Sequence, residues 1–493
     1  MKSANHDTKI SLAVLISMCI IILVYTWTIT SRSMTAWPIT TSYYDMLTGA
    51  FLHGQTHLLI TPDQRLLELS DPYDPLANMH YRLHDALLYR GQYYFYWGPV
   101  PALLLAPVKS IRNAVTVNET ETWLNGVLHG RAKWVPNTVS ISDAYLVFAF
   151  AIGVVGFSAL LLLALWQRLF YESPWWSMIP GIIVAGLGAP MPYLLGRAGI
   201  YEGAIVAGQC FLLGGIYWAY IALQHGRFSS WRLFLASVFW GLAVGSRLSL
   251  LSVVPILALL LLWRIHREGN GKLLNRLNLR IVAALGAPLI AGAIALGLYN
   301  YDRFGSWSEF GVRYQLAGVH MARIIEKSNF FLTTSVWHNL FSYVLCPIVF
   351  TPDFPFISGR ANINETEQAA SIFLISPFVW FAFVAPMLLA ARSQKTIYAH
   401  KSKQETREIS WIVICLLCAV LFGIGPVLMV GVSTMRYLAD MTPSLVILAM
   451  IGVWQSHRLL RHRPMGSRAW VFLVLTLTFA SAVIGTLLGQ SKP

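Results

Sequence analysis

The sequence predicts an all-α polytopic membrane protein, and three observations carry that reading. Of 493 residues, 56% are hydrophobic and only 12% are charged, whereas soluble domains hold roughly a quarter charged residues. Runs of about 20 apolar residues, the length that crosses a bilayer core, recur along the whole chain. The basic residues behind a net charge of +14 gather in short loops between those runs, the positive-inside pattern. That distribution excludes nucleic acid as the expected partner and leaves the lipid bilayer. A spanning β-barrel would show short alternating segments instead.

Residues 1–9 carry Lys2 and Lys9 and precede an apolar segment at about 10–30. The segment is longer than a signal-peptide core and has no small-x-small cleavage site. It reads as an uncleaved first helix that starts in the cytoplasm.

Residues 32–142 then form a first outside loop. Its eight basic and eight acidic residues balance, so it lacks cytoplasmic bias. Its length calls for a small folded unit of its own. Within it, 43–53 has helical spacing, with Tyr44, Leu47, Phe51 and Leu52 on neighbouring faces. Segment 99–111 is too short and too Pro-rich to span and reads as an interfacial helix. The aromatic run Tyr93-Tyr94-Phe95-Tyr96-Trp97 suits the headgroup zone.

Further spans are expected at about 143–166, 177–195, 203–223, 232–246, 248–263, 281–299, 371–391, 409–431, 441–456 and 469–488, about eleven in all. The stretch 232–263 must break near Gly245-Ser246-Arg247. As one helix it would be about 48 Å long against a core of about 30 Å. Only two short helices there leave the basic loops 264–280, 392–408 and 457–468 together on the cytoplasmic side. A second outside loop, about 300–370, has five basic and six acidic residues and room for another interfacial helix near 320–350. The chain therefore divides into a membrane module at 1–299 that includes loop 32–142, a second outside loop at 300–370, and C-terminal helices at 371–493. Five cysteines, among them Cys415 and Cys418 at i and i+3, read as packing residues and imply no disulfide framework.

The order of features resembles the GT-C class of polyprenyl-phosphate-sugar-dependent glycosyltransferases. That class includes protein O-mannosyltransferases, bacterial arabinosyltransferases and the aminoarabinose transferase of lipid A. The matching stretches are YYDMLTGAFLHGQ, DPYDP, YYFYWGPVPALLL, GLAVGSR, RFGSWSEFGVRYQLAG and MRYLADMTP. The resemblance implies a GT-C-like fold with two large outside loops carrying interfacial helices. It implies an enzyme of a bacterial inner membrane that moves a sugar from a polyprenyl-phosphate donor to an envelope glycan, lipid or protein acceptor. Family members often carry paired acids at the first position, and here Asp45 stands alone, so a divalent metal is left open.

Such a reaction needs a carboxylate to deprotonate the acceptor hydroxyl and cations to meet the growing charge on the leaving phosphate. Asp45, just outside the first span, is the expected base; the competing reading is a helix cap. Tyr44 beside it is a candidate substrate contact. Arg247, a guanidinium at a membrane-embedded break, is the first candidate for the phosphate, and the resemblance implies that role for the basic residue ending GLAVGSR. Arg436 is a second candidate, with a structural pair to Asp440 as the alternative at their i, i+4 spacing. Arg197 and Glu202 flank a short outside turn and either pair with each other or meet substrate. Arg303, Glu309, Arg313, Tyr314 and Gln315 form a candidate sugar- or acceptor-binding set. No metal ligands are assigned: Asp71, Asp74 and Asp85, in DPYDP and its sequel, read first as turn formers, and the histidines at 53, 57, 80 and 84 lack an H-E-x-x-H pattern. The rival reading is a transporter or flippase for a lipid-linked glycan, which would place charges near the midplane and show inverted repeats. No such repeat is visible.

Overall fold

The computed structural model describes residues 2–115, 140–223, 229–268, 276–328, 333–361, 367–390 and 403–491. Nineteen α-helices and three two-stranded hairpins are described. The first helix, α1 (Lys2–Ile29), leads to the first loop. That loop holds α2 (Tyr43–Leu52), short turns α3 (Gln64–Leu67) and α4 (Pro75–Asn78), a hairpin of β1 (Leu87–Tyr89) and β2 (Gln92–Tyr94), and α5 (Val100–Val115). The loop is thus a folded unit, with its own apolar core around Tyr44, Leu47, Leu66, Phe95 and Leu105.

The membrane helices follow as α6 (Asp143–Leu169), α7 (Ile179–Leu187), α8 (Met191–Gly196), α9 (Ile200–Ala222), α10 (Ser230–Ser246), α11 (Val254–Glu268) and α12 (Arg276–Phe304). The second loop carries α13 (Met321–Ser328), α14 (Thr333–Val344), and the hairpins of β3 (Val349–Phe350) with β4 (Ile357–Ser358) and β5 (Arg360–Ala361) with β6 (Gln368–Ala369). The chain ends in α15 (Ile372–Ile375), α16 (Val384–Ala390), α17 (Lys403–Leu428), α18 (Thr442–Leu460) and α19 (Pro464–Leu488).

Among the described residues, eight helices are long and apolar enough to cross a membrane. Each falls on one of the expected spans. The other three expected spans have a different build. Segment 232–246 is the 17-residue α10. Segment 371–391 is broken into α15, a 3₁₀ stretch Pro377–Phe383 and α16. Segment 441–456 lies in α18, whose side chains from Thr442 to Ser456 are buried. A helix enclosed by others meets protein rather than lipid, so its apolarity follows packing. One core runs from Ile10 to Leu488 and joins helices from both ends of the chain.

The break expected after residue 245 is present. Helix α10 stops at Ser246, Arg247 is extended at φ −142° and ψ 107°, and a 3₁₀ turn Leu248–Ser252 precedes α11. The first loop docks on this break so closely that a Cβ on Gly98 would collide with the Gly245 carbonyl. Glycine is needed where backbones meet in this way.

Helix α5 is two-faced, as an interfacial helix should be. Ala102, Leu105 and Lys109 are buried, whereas Leu103, Leu104, Val108 and Ile111 are exposed. Of the basic loops that set the expected orientation, 269–275 and 391–402 lie outside the described residues.

The two loops are tied together. Leu316 N–H donates to the Ala86 carbonyl and Asp85 N–H to the Leu316 carbonyl, at 2.9 and 3.1 Å. Arg82 donates to the Ala317 carbonyl at 2.6 Å. Asp71 meets His320 Nε2 at 3.1 Å and Arg323 Nη2 at 2.9 Å.

Candidate active site

Asp45 is not at an opening. Its carboxylate is 1% exposed and meets Lys109 Nζ of α5 at 2.8 Å; Lys109 is 2% exposed and also donates to the Asp45 carbonyl at 3.0 Å. Burial raises the Asp45 carboxyl above its usual range, against the opposing pull of Lys109. The expected exposed base is therefore a buried ion pair that fastens α2 to α5.

Asp45 does not cap α2 either. Asp143, the first residue of α6, accepts the Tyr43 and Tyr44 N–H groups at 3.0 and 3.1 Å and the Thr41 hydroxyl at 2.6 Å. A carboxylate from a distant helix thus satisfies the orphan donors of a helix start. Tyr44 packs its ring beside Gly203 of α9. Its buried hydroxyl has no hydrogen-bond partner among the described residues.

Arg247 forms a two-bond fork with Asp440: Nε donates to Oδ1 at 2.7 Å and Nη2 to Oδ2. The Asp440 side chain is fully buried and that of Arg247 14% exposed. The pair expected between Arg436 and Asp440 does not form, because Asp440 faces α10's end while Arg436 turns to other acids. The pair expected between Arg197 and Glu202 is also absent.

Instead, Arg436 gathers the rim. Its Nη2 donates to Glu367 Oε1 at 2.8 Å, its Nη1 stands 3.5 Å from Glu202 Oε1, and its guanidinium lies over the Tyr201 ring at 4.6 Å. Burial alone would lower this guanidinium; Glu202, Tyr437 and Glu367 outweigh it and hold it above the ordinary arginine range. Glu202 also accepts the Gly199 N–H at 3.3 Å, closing the first turn of α9. Arg197 stacks on Tyr193 at 3.9 Å. Both its Nη atoms are buried with no hydrogen-bond partner among the described residues. Burial pushes it below the usual arginine range, against Tyr193, Glu202 and Glu367.

The carboxylate that joins this cluster is Asp85, which the sequence reading left among the turn acids. Tyr201 donates to its Oδ2 at 2.6 Å and Gln315 to its Oδ1 at 3.0 Å. Tyr96 donates to the Tyr201 hydroxyl at 3.2 Å, and burial pushes the Tyr96 phenol well above its usual range. Asp85 sits at φ 61°, a left-handed conformation that Asp adopts more readily than most residues. Its side chain is 14% exposed, so it is aimed yet reachable. The one advance signal was local: an acid after His84 at a turn before a short hairpin.

Of the second-loop set, Gln315 alone reaches Asp85. Arg303 is buried, bonded to the Asn300 side chain at 2.6 Å and to the Phe95 carbonyl. Glu309 pairs with Arg313 at 3.3 Å and accepts the Gly311 N–H. Tyr314 packs on Tyr89 and Phe304. These four hold the loop together. Among the described residues, no three His, Cys, Asp or Glu side chains gather as a metal site.

No protein-family model matches the chain and no curated protein does. Solved structures match. The apo oligosaccharyltransferase of Archaeoglobus fulgidus is 13% identical with a TM-score of 0.51, over 97% of this chain and 56% of that one. The archaeal oligosaccharyltransferase AglB from the same organism, in complex with an inhibitory peptide and a dolichol-phosphate, is 14% identical with a TM-score of 0.48, over 97% and 56%. ArnT from Cupriavidus metallidurans bound to undecaprenyl phosphate is 12% identical with a TM-score of 0.40, over 97% and 75%. The first match shows a shared GT-C fold. The chain spans about half the length of that oligosaccharyltransferase.

Proposed function

We propose that the chain is a glycosyltransferase that takes a sugar from a polyprenyl-phosphate carrier and passes it, with inversion, to an envelope glycan, lipid or protein acceptor. The observation that carries this reading is the link from Asp85 through Tyr201 to Arg436 on the loop-bearing face of a GT-C fold. The membrane is the bacterial inner membrane, with the N-terminus cytoplasmic and both large loops outside.

In this reading Asp85, rather than Asp45, is the base. The acceptor O–H gives its proton to a carboxylate oxygen of Asp85 as the acceptor oxygen bonds to the anomeric carbon. The bond from that carbon to the phosphate oxygen breaks, and the phosphate leaves with the electron pair. Arg197, with two buried donors that have no hydrogen-bond partner among the described residues, and Arg436 meet the charge. Arg247 fixes the turn that carries Arg436, Met435–Asp440, by locking Asp440. The arrangement supports ionic stabilisation of a leaving phosphate at a rim.

The test is purified protein in proteoliposomes with a radiolabelled polyprenyl-phosphate sugar and envelope acceptors. Label should appear on an acceptor. Label that changes leaflet while still bonded to its lipid phosphate supports the flippase reading and overturns this one.

A further inference from the structure

The hairpin β3–β4 in the second loop exposes an unusual surface for a polar loop. Phe350 is 78% exposed, Phe356 53% and Phe354 42%. Phe356 holds φ 67°, a backbone region that bulky residues rarely adopt. The turn is nonetheless well bonded. Phe356 N–H donates to the Asp353 carbonyl at 2.7 Å, and Thr351 N–H to the Phe356 carbonyl at 2.9 Å. The aromatic display is therefore built into a fixed turn.

Two contacts fix the height of this hairpin relative to the bilayer. The Arg32 guanidinium lies over the Phe354 ring at 5.0 Å. Arg32 N–H donates to the Trp27 carbonyl at 2.8 Å, so Arg32 is folded onto the end of the first span, Thr8–Ile29. At the hairpin's other side, β4 packs against α19, itself long and apolar enough to span. A segment wedged between two spans, one of them at its end, lies at the membrane boundary. Exposed aromatic rings beside a cation and an acid, Asp353, match the headgroup–acyl zone.

We propose that hairpin β3–β4 is a membrane-inserting wedge, its three phenylalanines seated among phospholipids of the leaflet at the C-terminal end of α1. The occupant is the bilayer itself. Arg32 and Asp353 remain at headgroup level, and the rings reach towards the acyl chains. The wedge stands on its own geometry whatever reaction the rim performs. Its base nevertheless continues towards that rim, since Gly359 lies against Met435, next to Arg436. The hairpin and the turn that carries Arg436 thus meet at Gly359 and Met435.

The experiment is spin-label depth measurement on the full chain in phosphatidylethanolamine–phosphatidylglycerol vesicles. Of the five cysteines Cys19 is exposed and Cys418 partly exposed, with the other three buried, so Cys19→Ala with Cys418→Ala gives the background. Labels go on Phe350→Cys and, separately, Phe356→Cys. Leu15→Cys on the first span and Leu76→Cys in the first loop are the lipid and water references; both are exposed. The wedge requires at least one hairpin label to collide with oxygen more than with a water-soluble nickel chelate, as the Leu15 label does. If both behave as the Leu76 label, or both are shielded from oxygen and chelate alike, the wedge is wrong.

Discussion

Tyr201 donates its phenolic proton to Asp85 at 2.6 Å, joining the start of a membrane helix to a turn 116 residues earlier. The same ring carries the Arg436 guanidinium on its face. One tyrosine therefore couples a partly exposed carboxylate, Asp85, to the best-held cation of the cluster. The proposed reaction turns on that coupling.

Asp85→Asn keeps the Tyr201 and Gln315 contacts within reach but cannot take a proton. Sugar transfer should fall roughly 10²- to 10⁴-fold, the usual contribution of a general base, with expression and thermal midpoint retained. Transfer assays in proteoliposomes measure it. An unchanged rate removes Asp85 from the mechanism.

Asp45 and Lys109 call for a double substitution. Removing either one leaves a buried charge alone and should cost about 3–5 kcal/mol. Asp45→Leu with Lys109→Met removes both charges and should restore much of the stability and most of the transfer rate. A stable double variant that transfers no sugar would show that Asp45 takes part in the chemistry after all.

Arg197→Gln removes two buried donors that no group among the described residues uses. Loss of a charged hydrogen bond of about 1.5–3 kcal/mol predicts a fall of roughly 10- to 100-fold in kcat/KM for the lipid-linked donor. Competition by free polyprenyl phosphate should weaken in parallel. Equal competition in the variant and the parent rules out a phosphate role.

Asp71 supplies a pH test of the clamp between the two loops. Partial burial pulls its carboxyl upward, but the Tyr73 N–H, His320 and Arg323 outweigh this and hold it below the usual range. A folded pKa below the unfolded one means that the stabilisation is complete above about 3.9 and is lost as pH falls through the lower folded value. The difference in thermal midpoint between the parent and Asp71→Asn should be full above about pH 4 and shrink as the pH falls further. A difference that stays constant shows that the carboxylate does not fasten α13.

The aromatic, charge-poor runs of this chain were sufficient to specify a helical membrane protein, because a bilayer demands about 20 apolar residues wherever a helix crosses it. Charge bias also located the break at Arg247, since only a break keeps the basic loops on one side. Loop positions and the two-faced α5 were legible for the same reason: solvation is a property of composition and periodicity.

Partner choice was not legible. Asp45 looked like an accessible acid until Lys109, 64 residues away, closed on it. Asp440 looked like the helical neighbour of Arg436 but pairs with Arg247 across 193 residues. Asp85 carried only a local turn signal until Tyr201 and Gln315 converged on it. An acid's role depends on which donors reach it and how much water remains, and packing between distant segments decides both.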